Sequence, residues 1–219
     1  MESRSWRFAS FTKKSNTAIE RYNHKKNDDS PGGKVAKELR HLFISRVTMN
    51  LKAGRDTLRN DHLDFLNPDK ATVGGERKEV EVINDNMRIL YWKSPYPSPF
   101  SPRSDLILEV TVDYDIGDGK KATLICGKST AHPLLPDDPT KEVRMKESLF
   151  ASFYEELEVG GKPLTRWTSL LAGSGALPRP LKFIDYKMFN KYFDDSVEMF
   201  ATKYDKDHSD EQIIYTVQE

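Results

Sequence analysis

The sequence predicts an α+β fold in which an antiparallel sheet encloses one long C-terminal helix. From Leu177 to Tyr204, after a Leu-Pro-Arg-Pro start, apolar residues recur every three or four positions, which is the spacing of a helix with one broad apolar stripe. Between Lys78 and Leu171 apolar residues alternate instead, and short turn signals separate the runs, as in antiparallel strands. Because the helix has to bury its stripe, we expect the sheet to wrap around it.

The composition fits one globular domain with a substantial core. The chain has 219 residues, of which 37% are hydrophobic and 11% aromatic, and a chain of this length buries most of the surface that its unfolded form exposes. Its 34 basic and 34 acidic side chains cancel, which argues against a dedicated nucleic-acid-binding protein. Residues 1–62 hold 14 Lys and Arg against 7 Asp and Glu, whereas residues 63–219 hold 20 against 27. We therefore expect a basic N-terminal end that either meets an anionic membrane surface or forms a solvated tail.

Cysteine use and hydropathy indicate a cytoplasmic location. Cys126 is the one cysteine of the chain, so no internal disulfide can form and a reducing compartment is expected. The first twenty residues contain no apolar core of a signal peptide, and no apolar run reaches the length that spans a membrane. We expect a cytoplasmic protein that at most contacts a membrane peripherally.

Three segments divide the chain. Residues 1–33 are polar and end in the loop signal DDSPGG, so we expect a basic, loosely ordered N-terminal segment. Residues 34–207 hold the helix and strand patterns of the domain, and residues 208–219 form a C-terminal tail. Within the first segment aromatic and cationic residues interleave, as in an interfacial membrane anchor, although a short helix packed on the domain fits equally well. These residues are Trp6, Arg7, Phe8, Lys13 and Lys14.

The first elements of the domain precede the alternating region. The segment Lys34–Ile44 predicts a helix, or a helix that passes into a strand. A short strand follows, in which Val47, Met49 and Leu51 share one face. Residues Arg55–Leu66 then predict a second helix, which an Asn-Pro pair ends.

A β-hairpin and a proline-rich interruption come next. Residues Arg77–Ile83 alternate, with Val80 and Val82 predicted to face inward. An Asn-Asp-Asn turn follows, and Met87–Trp92 alternates again. Four prolines between Ser94 and Arg103 then exclude a continuous ladder of backbone hydrogen bonds.

The clearest strand is Ser104–Tyr114. Its apolar residues occupy one face, which we expect to point inward, and Glu109 on the other face is expected to point to solvent. A Gly-Asp-Gly turn pairs this strand with Lys120–Ser129. One long strand from Val143 to Phe153 and a last strand at Leu164–Leu171 complete the antiparallel sheet.

Glu147 is an anomaly in the predicted sheet. It shares the strand phase of Met145 and Leu149, so alternation points its carboxylate into the interior. A buried carboxylate without a partner is strongly unfavourable, and Arg166 on the neighbouring strand is the candidate partner. A bulge that turns Glu147 outward is the alternative.

Local motifs for metal or cofactor chemistry do not occur in the sequence. The five histidines are scattered, and no pair has the spacing of ligands on one helix or hairpin. The glycines match neither a phosphate-binding loop nor a dinucleotide fingerprint. Cys126 lies in an apolar strand phase and is expected to be a small buried hydrophobe rather than a nucleophile. We therefore predict no metal and no cofactor.

Four features in order resemble the steroidogenic acute regulatory protein-related lipid transfer domain family, known as START. They are SPFSPRSD at Ser98–Asp105, KSTAHPLLPDDPTKEVRM at Lys128–Met145, TRWTSLLAGSGALP at Thr165–Pro178, and the long final helix. Upstream, the stretches over residues 46–58 and 69–95 are also similar to the front half of that family. The resemblance spans about residues 40–204.

The resemblance implies the helix-grip fold of START and Bet v 1-like proteins, in which a curved antiparallel sheet wraps around the C-terminal helix and leaves an internal cavity. It also implies that this cavity holds one lipid, such as a sterol, a phospholipid or a ceramide, which the protein transfers between membranes or senses. The expected lining residues are Tyr91, Leu108, Val110, Leu124, Met145, Glu147, Leu149, Arg166, Trp167, Ile184, Met188 and Tyr192. The expected gating loops contain Leu134, Leu135, Gly173, Gly175 and Leu177.

Three hypotheses for the function follow. The first is a non-catalytic lipid-binding and lipid-transfer module, monomeric, with a lipid ligand and a transient membrane surface as its partners. The second is an enzyme that uses Glu147 and Arg166 for acid–base chemistry on a hydrophobic substrate in the same cavity. The third is a protein-interaction module with a filled core. A cavity beneath the final helix would favour either of the first two over the third.

Overall fold

The computed structural model describes residues 6–11, 18–22, 42–64, 75–159, 162–174 and 177–204. In this part of the chain ten strands form one curved sheet that grips a long C-terminal helix, and the predicted α+β class is confirmed. The strands are β1 (Trp6–Phe11), β2 (Ala18–Tyr22), β3 (Phe43–Leu51), β4 (Glu76–Asn84), β5 (Met87–Ser94), β6 (Arg103–Gly117), β7 (Lys120–Ser129), β8 (Val143–Arg144), β9 (Leu149–Val159) and β10 (Lys162–Gly173). The helices are α1 (Arg55–Leu63) and α2 (Lys182–Lys203), and a 3₁₀ turn at Arg179–Leu181 precedes α2.

The sheet is antiparallel except at β8. Its strand order is β1-β2-β3-β10-β9-β7-β6-β5-β4, and β8 pairs in parallel with the start of β6. Short turns join β4 to β5 and β6 to β7, because antiparallel neighbours need only a few connecting residues. The pairing of β3 with β10 joins the two ends of the domain, with Trp167 opposite both Met49 and Tyr154.

The core lies between the inner face of the sheet and α2. On α2 the buried residues Phe193, Val197 and Ala201 follow one another every four positions, which places them on one side of the helix. They pack with Val47 and Met49 of β3, whose predicted phase is confirmed. Full burial of one large apolar side chain stabilises the fold by about 1.5–3 kcal/mol, so this cluster fixes α2 on the sheet.

A buried arginine ties α1 to the sheet. The helix begins at Arg55, as predicted, and this side chain is 7% exposed. Its guanidinium lies 3.0 Å from the Thr123 hydroxyl and 3.3 Å from the carboxylates of Asp113 and Glu156. Leu58, one turn later, is fully buried. These contacts hold α1 across the inner face of β7 and β9.

The prediction of which face of β6 points inward is wrong. Ile107 belongs to the core beneath α2, and Glu109, on the same face, is only 2% exposed. Leu106 instead packs with Tyr91 on the outer face, where Leu135 from the β7–β8 loop covers them. The more apolar side of the strand thus points outward, because other segments of the same chain cover it. The inner side faces a partly polar interior.

The long strand predicted over Val143–Phe153 is also wrong, because it is two strands. β8 and β9 are separated by residues 145–148, and this break resets the alternation. In β9 Phe150 and Tyr154 join the core. Alternation therefore places Phe153 on the outer face rather than the inner one.

The two valines of β4 do not face the core. Val82 is 60% exposed, and Val80 packs against the outer-face cluster that contains Ile89. The pairing of β4 with β5 is irregular between Glu79 and Glu81 and again after Val82. Such irregularities insert a residue and change which side chains share a face.

Part of the N-terminal segment has regular structure. β1 and β2 extend the sheet beyond β3, where the sequence predicts a loosely ordered segment. The membrane role of Trp6, Arg7 and Phe8, which lie in β1, stays a prediction, as do the domain boundaries at residues 33 and 207. The following predictions fall outside the described residues: Lys13, Lys14, the helix over residues 34–41, Gly175 and the C-terminal tail. Neither described helix is both long and apolar enough to cross a membrane.

Candidate functional site

A cavity of about 270 Å³ lies between α2 and the inner face of the sheet. Its walls come from the end of α1, the strands β4, β5, β6, β9 and β10, and one side of α2. A single water needs only about 10–15 Å³ of such volume, so this space has room for a molecule larger than water.

Two pairs of aromatic side chains form much of the apolar wall. Trp92 stacks on Phe150 with ring centroids 5.6 Å apart and planes 20° apart. Trp167 stacks on Phe200 of α2 at 4.6 Å and 24°. Aromatic walls of this kind offer large apolar contact areas and flat faces to a ligand.

A buried ion cluster lies behind another part of the wall. The Glu109 carboxylate accepts a hydrogen bond from Arg88 Nε at 2.7 Å, and His62 Nε2 lies 3.2 Å from its second oxygen. His62 Nδ1 lies 3.1 Å from the Tyr154 hydroxyl, and Arg88 Nη1 also donates to the Leu63 carbonyl at 2.9 Å. Because His62 itself lines the cavity, the cluster places a polar group on the cavity wall.

The charges of this cluster are set by its own contacts. Burial alone would raise the pKa of Glu109, but the hydrogen bonds and charges of His62 and Arg88 outweigh burial and lower this pKa. Glu109 is therefore ionised at neutral pH. Burial raises the pKa of the Tyr154 hydroxyl, so this hydroxyl keeps its proton beside His62 Nδ1.

Asp105 is a second buried carboxylate, and it lies directly in the cavity wall. The Ser129 hydroxyl lies 2.9 and 3.0 Å from its two oxygens. Burial raises the pKa of Asp105 to about 6, although the hydrogen bond from the Ser129 hydroxyl and the charge of Arg144 act in the opposite direction. Asp105 therefore changes its charge in the mildly acidic range.

We expect Asp105 to lower the stability of the folded protein as pH rises from about 4 to about 6. The ordinary pKa of an Asp is about 3.9, so in this range the folded state binds more protons than the unfolded state and the free energy of unfolding falls with pH. An Asp105→Asn variant lacks the titrating group. Its free energy of unfolding relative to wild type should therefore rise by about 2 kcal/mol between pH 4 and pH 7 in urea titrations. A difference that stays constant across this range would contradict the assignment.

Hydrogen bonds join the β5–β6 loop to the start of α2 at one end of the cavity. The Tyr96 hydroxyl donates to Asp185 Oδ1 at 2.7 Å, and the backbone N–H of Leu177 lies 3.2 Å from Asp185 Oδ2. The Tyr192 hydroxyl donates to the Pro95 carbonyl at 2.8 Å. Both tyrosines line the cavity, so these bonds fix its wall at this end.

The structure places five of the predicted lining residues in the cavity wall. They are Met145, Leu149, Trp167, Met188 and Tyr192. Tyr91 and Leu108 belong to the outer-face cluster instead. Val110 and Leu124 share that outer phase on β6 and β7, and Ile184 lies in the first turn of α2 outside the cavity wall. A role of any of these residues in lipid binding stays a prediction.

The predicted pair of Glu147 and Arg166 does not meet in the interior. Glu147 is exposed and lies in the break before β9, so the alternative in which it turns outward is the correct one. Arg166 is 45% exposed, lies opposite Glu155 in the β9–β10 register, and its guanidinium is 3.6 Å from that carboxylate. The enzyme hypothesis required these two side chains to meet in the cavity, and the structure does not bring them together there.

The predicted gating residues lie on two different faces. Leu134 is 76% exposed, and Leu135 packs on the outer face of the sheet, away from the cavity. Gly173 lies against α2: a Cβ atom there would be 2.8 Å from the ring of Phe189, so glycine permits the close approach of helix and strand. Leu177 is buried beside α2. Gating by either loop stays a prediction.

Sequence reasoning missed the most polar part of the site. Arg88 and Glu109 are opposite each other in the β5–β6 register, and the hairpin pattern could have paired them as opposite charges. His62 carried no local signal, because its partners Glu109 and Tyr154 are 47 and 92 residues away. The inward orientation of Asp105 was hidden by the same inverted phase of β6.

A curved antiparallel sheet that grips a C-terminal helix over a cavity defines the helix-grip class of folds. Solved structures of START domains share this architecture with the chain. The human StarD13 (DLC2) lipid transfer and protein localization domain superposes with a TM-score of 0.60 at 17% identity, over 91% of this chain and 88% of that chain. Human StAR-related lipid transfer protein 5 gives 0.58 at 16%, over 92% and 89%. The STAR-related lipid transfer protein of Xanthomonas axonopodis, as a fragment, gives 0.60 at 15%, over 90% and 98%.

These likenesses show the fold of the chain. The START-like helix-grip fold that the sequence predicts is therefore confirmed. No protein-family model and no curated protein sequence matches the chain.

Proposed function

We propose that this protein binds one hydrophobic molecule in the cavity beneath α2 and transfers it between membranes or senses it. The observation that carries the proposal is the hollow interior of about 270 Å³, bounded by the stacked pairs Trp92–Phe150 and Trp167–Phe200. Moving apolar ligand surface from water to such walls is favourable by roughly 25 cal/mol per Å². The names of the similar solved structures, which include two lipid transfer proteins and one lipid transfer domain, agree with this proposal.

Polar groups in the wall would orient the bound molecule. Binding sites for small molecules are mostly apolar, with a few placed polar groups that fix orientation. Here those groups are His62, which is held by Glu109, and Asp105. A ligand with a polar group would therefore bind in one direction rather than at random.

The proposal includes a transient membrane contact. Phe183 is 66% exposed and Tyr186 is 41% exposed, and both lie near the start of α2, on the same helix as the cavity-lining Met188. Exposed aromatic side chains partition into the interface of a bilayer. The basic and aromatic residues near the N-terminus, Trp6, Arg7, Phe8, Lys13 and Lys14, are a second proposed contact.

The direct experiment is native mass spectrometry of the purified protein. We expect a bound species that adds one discrete mass to the chain and that organic extraction releases. Incubation of the extracted protein with lipid vesicles should restore a bound species. A protein that carries no small molecule and takes none from vesicles would overturn the proposal.

A Met188→Trp substitution should reduce ligand uptake by at least about tenfold. Met188 is partly buried in the cavity wall, and an indole at this position fills space that the ligand needs. A matched control is Lys120→Trp, which adds the same side chain at an exposed position at the start of β7, outside the cavity wall, and should leave uptake unchanged. Uptake is measured from fluorescent-lipid vesicles, with thermal unfolding as the check of folding. Equal uptake by both variants would count against this cavity as the site.

A further inference from the structure

The size of the cavity restricts what it can hold. An apolar cavity of about 150 Å³ accommodates benzene, and this cavity measures about 270 Å³. On that scale it holds a compound of roughly ten to fifteen non-hydrogen atoms. A diacyl phospholipid exceeds this size several times, so it would fit only if the walls moved apart or most of it stayed outside.

The indole N–H of Trp167 is a buried hydrogen-bond donor in the cavity wall. Trp167 is 3% exposed and lines the cavity. Among the residues that the structure describes, none accepts a hydrogen bond from its indole N–H. A buried donor without an acceptor is unfavourable, and buried polar groups in native proteins are nearly always paired. A ligand oxygen would supply the missing acceptor.

Two hydroxyl groups extend this polar spot. Ser152 and Ser169 lie directly opposite each other on β9 and β10, and both line the cavity. Ser169 is two residues from Trp167 on the same strand, so alternation places the two side chains on the same face. Each hydroxyl can donate or accept a hydrogen bond. The spot therefore suits an oxygen substituent of a ligand.

The aromatic walls favour a flat partner beside this spot. The stacked rings of Trp167 and Phe200 line the cavity, and so do those of Trp92 and Phe150. Aromatic rings prefer offset-stacked or edge-to-face contact with other rings. A compact ring system can make such contacts, whereas a long flexible chain loses rotational freedom when it binds.

We infer that the natural ligand is a compact ring compound of roughly ten to fifteen non-hydrogen atoms that carries an oxygen acceptor, such as a ketone, for the Trp167 N–H. This inference rests on the proposed function, since it names the chemical class that the same cavity holds. It goes beyond that function by setting a size limit and by assigning one positioning contact. The two acyl chains of a phospholipid are outside this class.

Two probes of equal size test the inference. 2-Acetylnaphthalene carries a ketone, and 2-isopropylnaphthalene has the same number of non-hydrogen atoms without an acceptor. We expect wild-type protein to bind the ketone about five- to tenfold more tightly in calorimetric titrations, because only the ketone pairs with the buried N–H. A Trp167→Phe variant keeps an aromatic ring and loses the N–H. In this variant the preference should fall to about one, with the hydrocarbon bound within about twofold of wild type.

A control removes a polar hydrogen outside the cavity. Tyr114 is 42% exposed and does not line the cavity, so Tyr114→Phe should retain the preference for the ketone. Equal affinities of wild type for the two probes, or a preference that survives in Trp167→Phe, would overturn the inference. Failure to bind either probe, together with uptake of phosphatidylcholine or cholesterol from vesicles, would overturn it and leave the proposed function in place. Failure to bind any of the four compounds would overturn both.

Discussion

Replacement of Arg88 by alanine is expected to lower the free energy of unfolding by about 3–5 kcal/mol. The Arg88 side chain is 14% exposed, and its Nε donates to a Glu109 carboxylate that is 2% exposed. Removal of Arg88 takes from the buried Glu109 carboxylate its shortest ion pair and leaves His62 as its remaining partner, which is strongly destabilising. The variant also loses the hydrogen bond to the Leu63 carbonyl at the end of α1. Urea unfolding at neutral pH measures the effect.

The chain contains a matched control for this prediction. Arg166 and Glu155 also face each other across neighbouring antiparallel strands, but their side chains are 45% and 30% exposed. Exposed pairs contribute about 0–1 kcal/mol, so Arg166→Ala should have a small effect. The double variant Arg88→Met with Glu109→Leu removes both buried charges and should recover much of the loss in Arg88→Ala. Equal destabilisation by Arg88→Ala and Arg166→Ala would show that burial does not determine how much an ion pair contributes to the stability of this protein.

The class of the fold could be predicted from the sequence because it depends on the spacing of apolar residues along the chain. The four-residue spacing of Phe193, Val197 and Ala201 and the alternation of Val47 with Met49 are local signals, and both are confirmed. The motif order that resembles START domains agrees with the same elements, and the START-like fold is confirmed. The spacing of apolar residues distinguishes a helix from a strand, and turn residues mark where each element ends.

The facing of individual strands could not be predicted, because alternation does not say which side is inside. On β6 both sides are largely buried: Leu106 under Leu135, and Ile107 under α2. The rule that the apolar side faces inward assumes a solvated outer face. On β6 the outer face is covered and the inner face borders polar groups, so the rule fails. Glu109, which was predicted to face solvent, is therefore buried.

The site itself depends on contacts between distant residues. His62 comes from α1, Asp105 from β6, Trp167 from β10 and Met188 from α2, and nothing in the spacing of these residues brings them together. Only the register of the whole sheet and the path of α2 do so. The size of a cavity is set by the volumes that remain after all of these elements pack, so a hollow interior leaves no local pattern in the sequence.

Gly127 lies against Phe150 and Ile107, which both line the cavity. We therefore expect Gly127→Val to lower both the stability of the fold and the binding of ligand. A Cβ atom at this position would lie 2.5 Å from Cε1 of Phe150 and 2.6 Å from Cγ2 of Ile107. Valine is a better strand former by up to about 1 kcal/mol, but such overlap in a packed core costs about 1–3 kcal/mol, and sometimes more. We expect a net loss of about 2 kcal/mol in the free energy of unfolding.

The same substitution should also reduce ligand binding, because the ring of Phe150 that it displaces is part of the cavity wall and stacks on Trp92. We expect uptake from vesicles to fall by about tenfold in protein that is still folded at the assay temperature. Phe150→Leu in the same chain makes room for the valine and should restore part of the stability, so the two substitutions are less than additive. Gly54→Ala is the control, since no atom lies within 4 Å of a Cβ at that position. Strictly additive changes in the free energy of unfolding for Gly127→Val and Phe150→Leu would contradict this prediction. The contact with Phe150 would then not explain why glycine is needed at position 127.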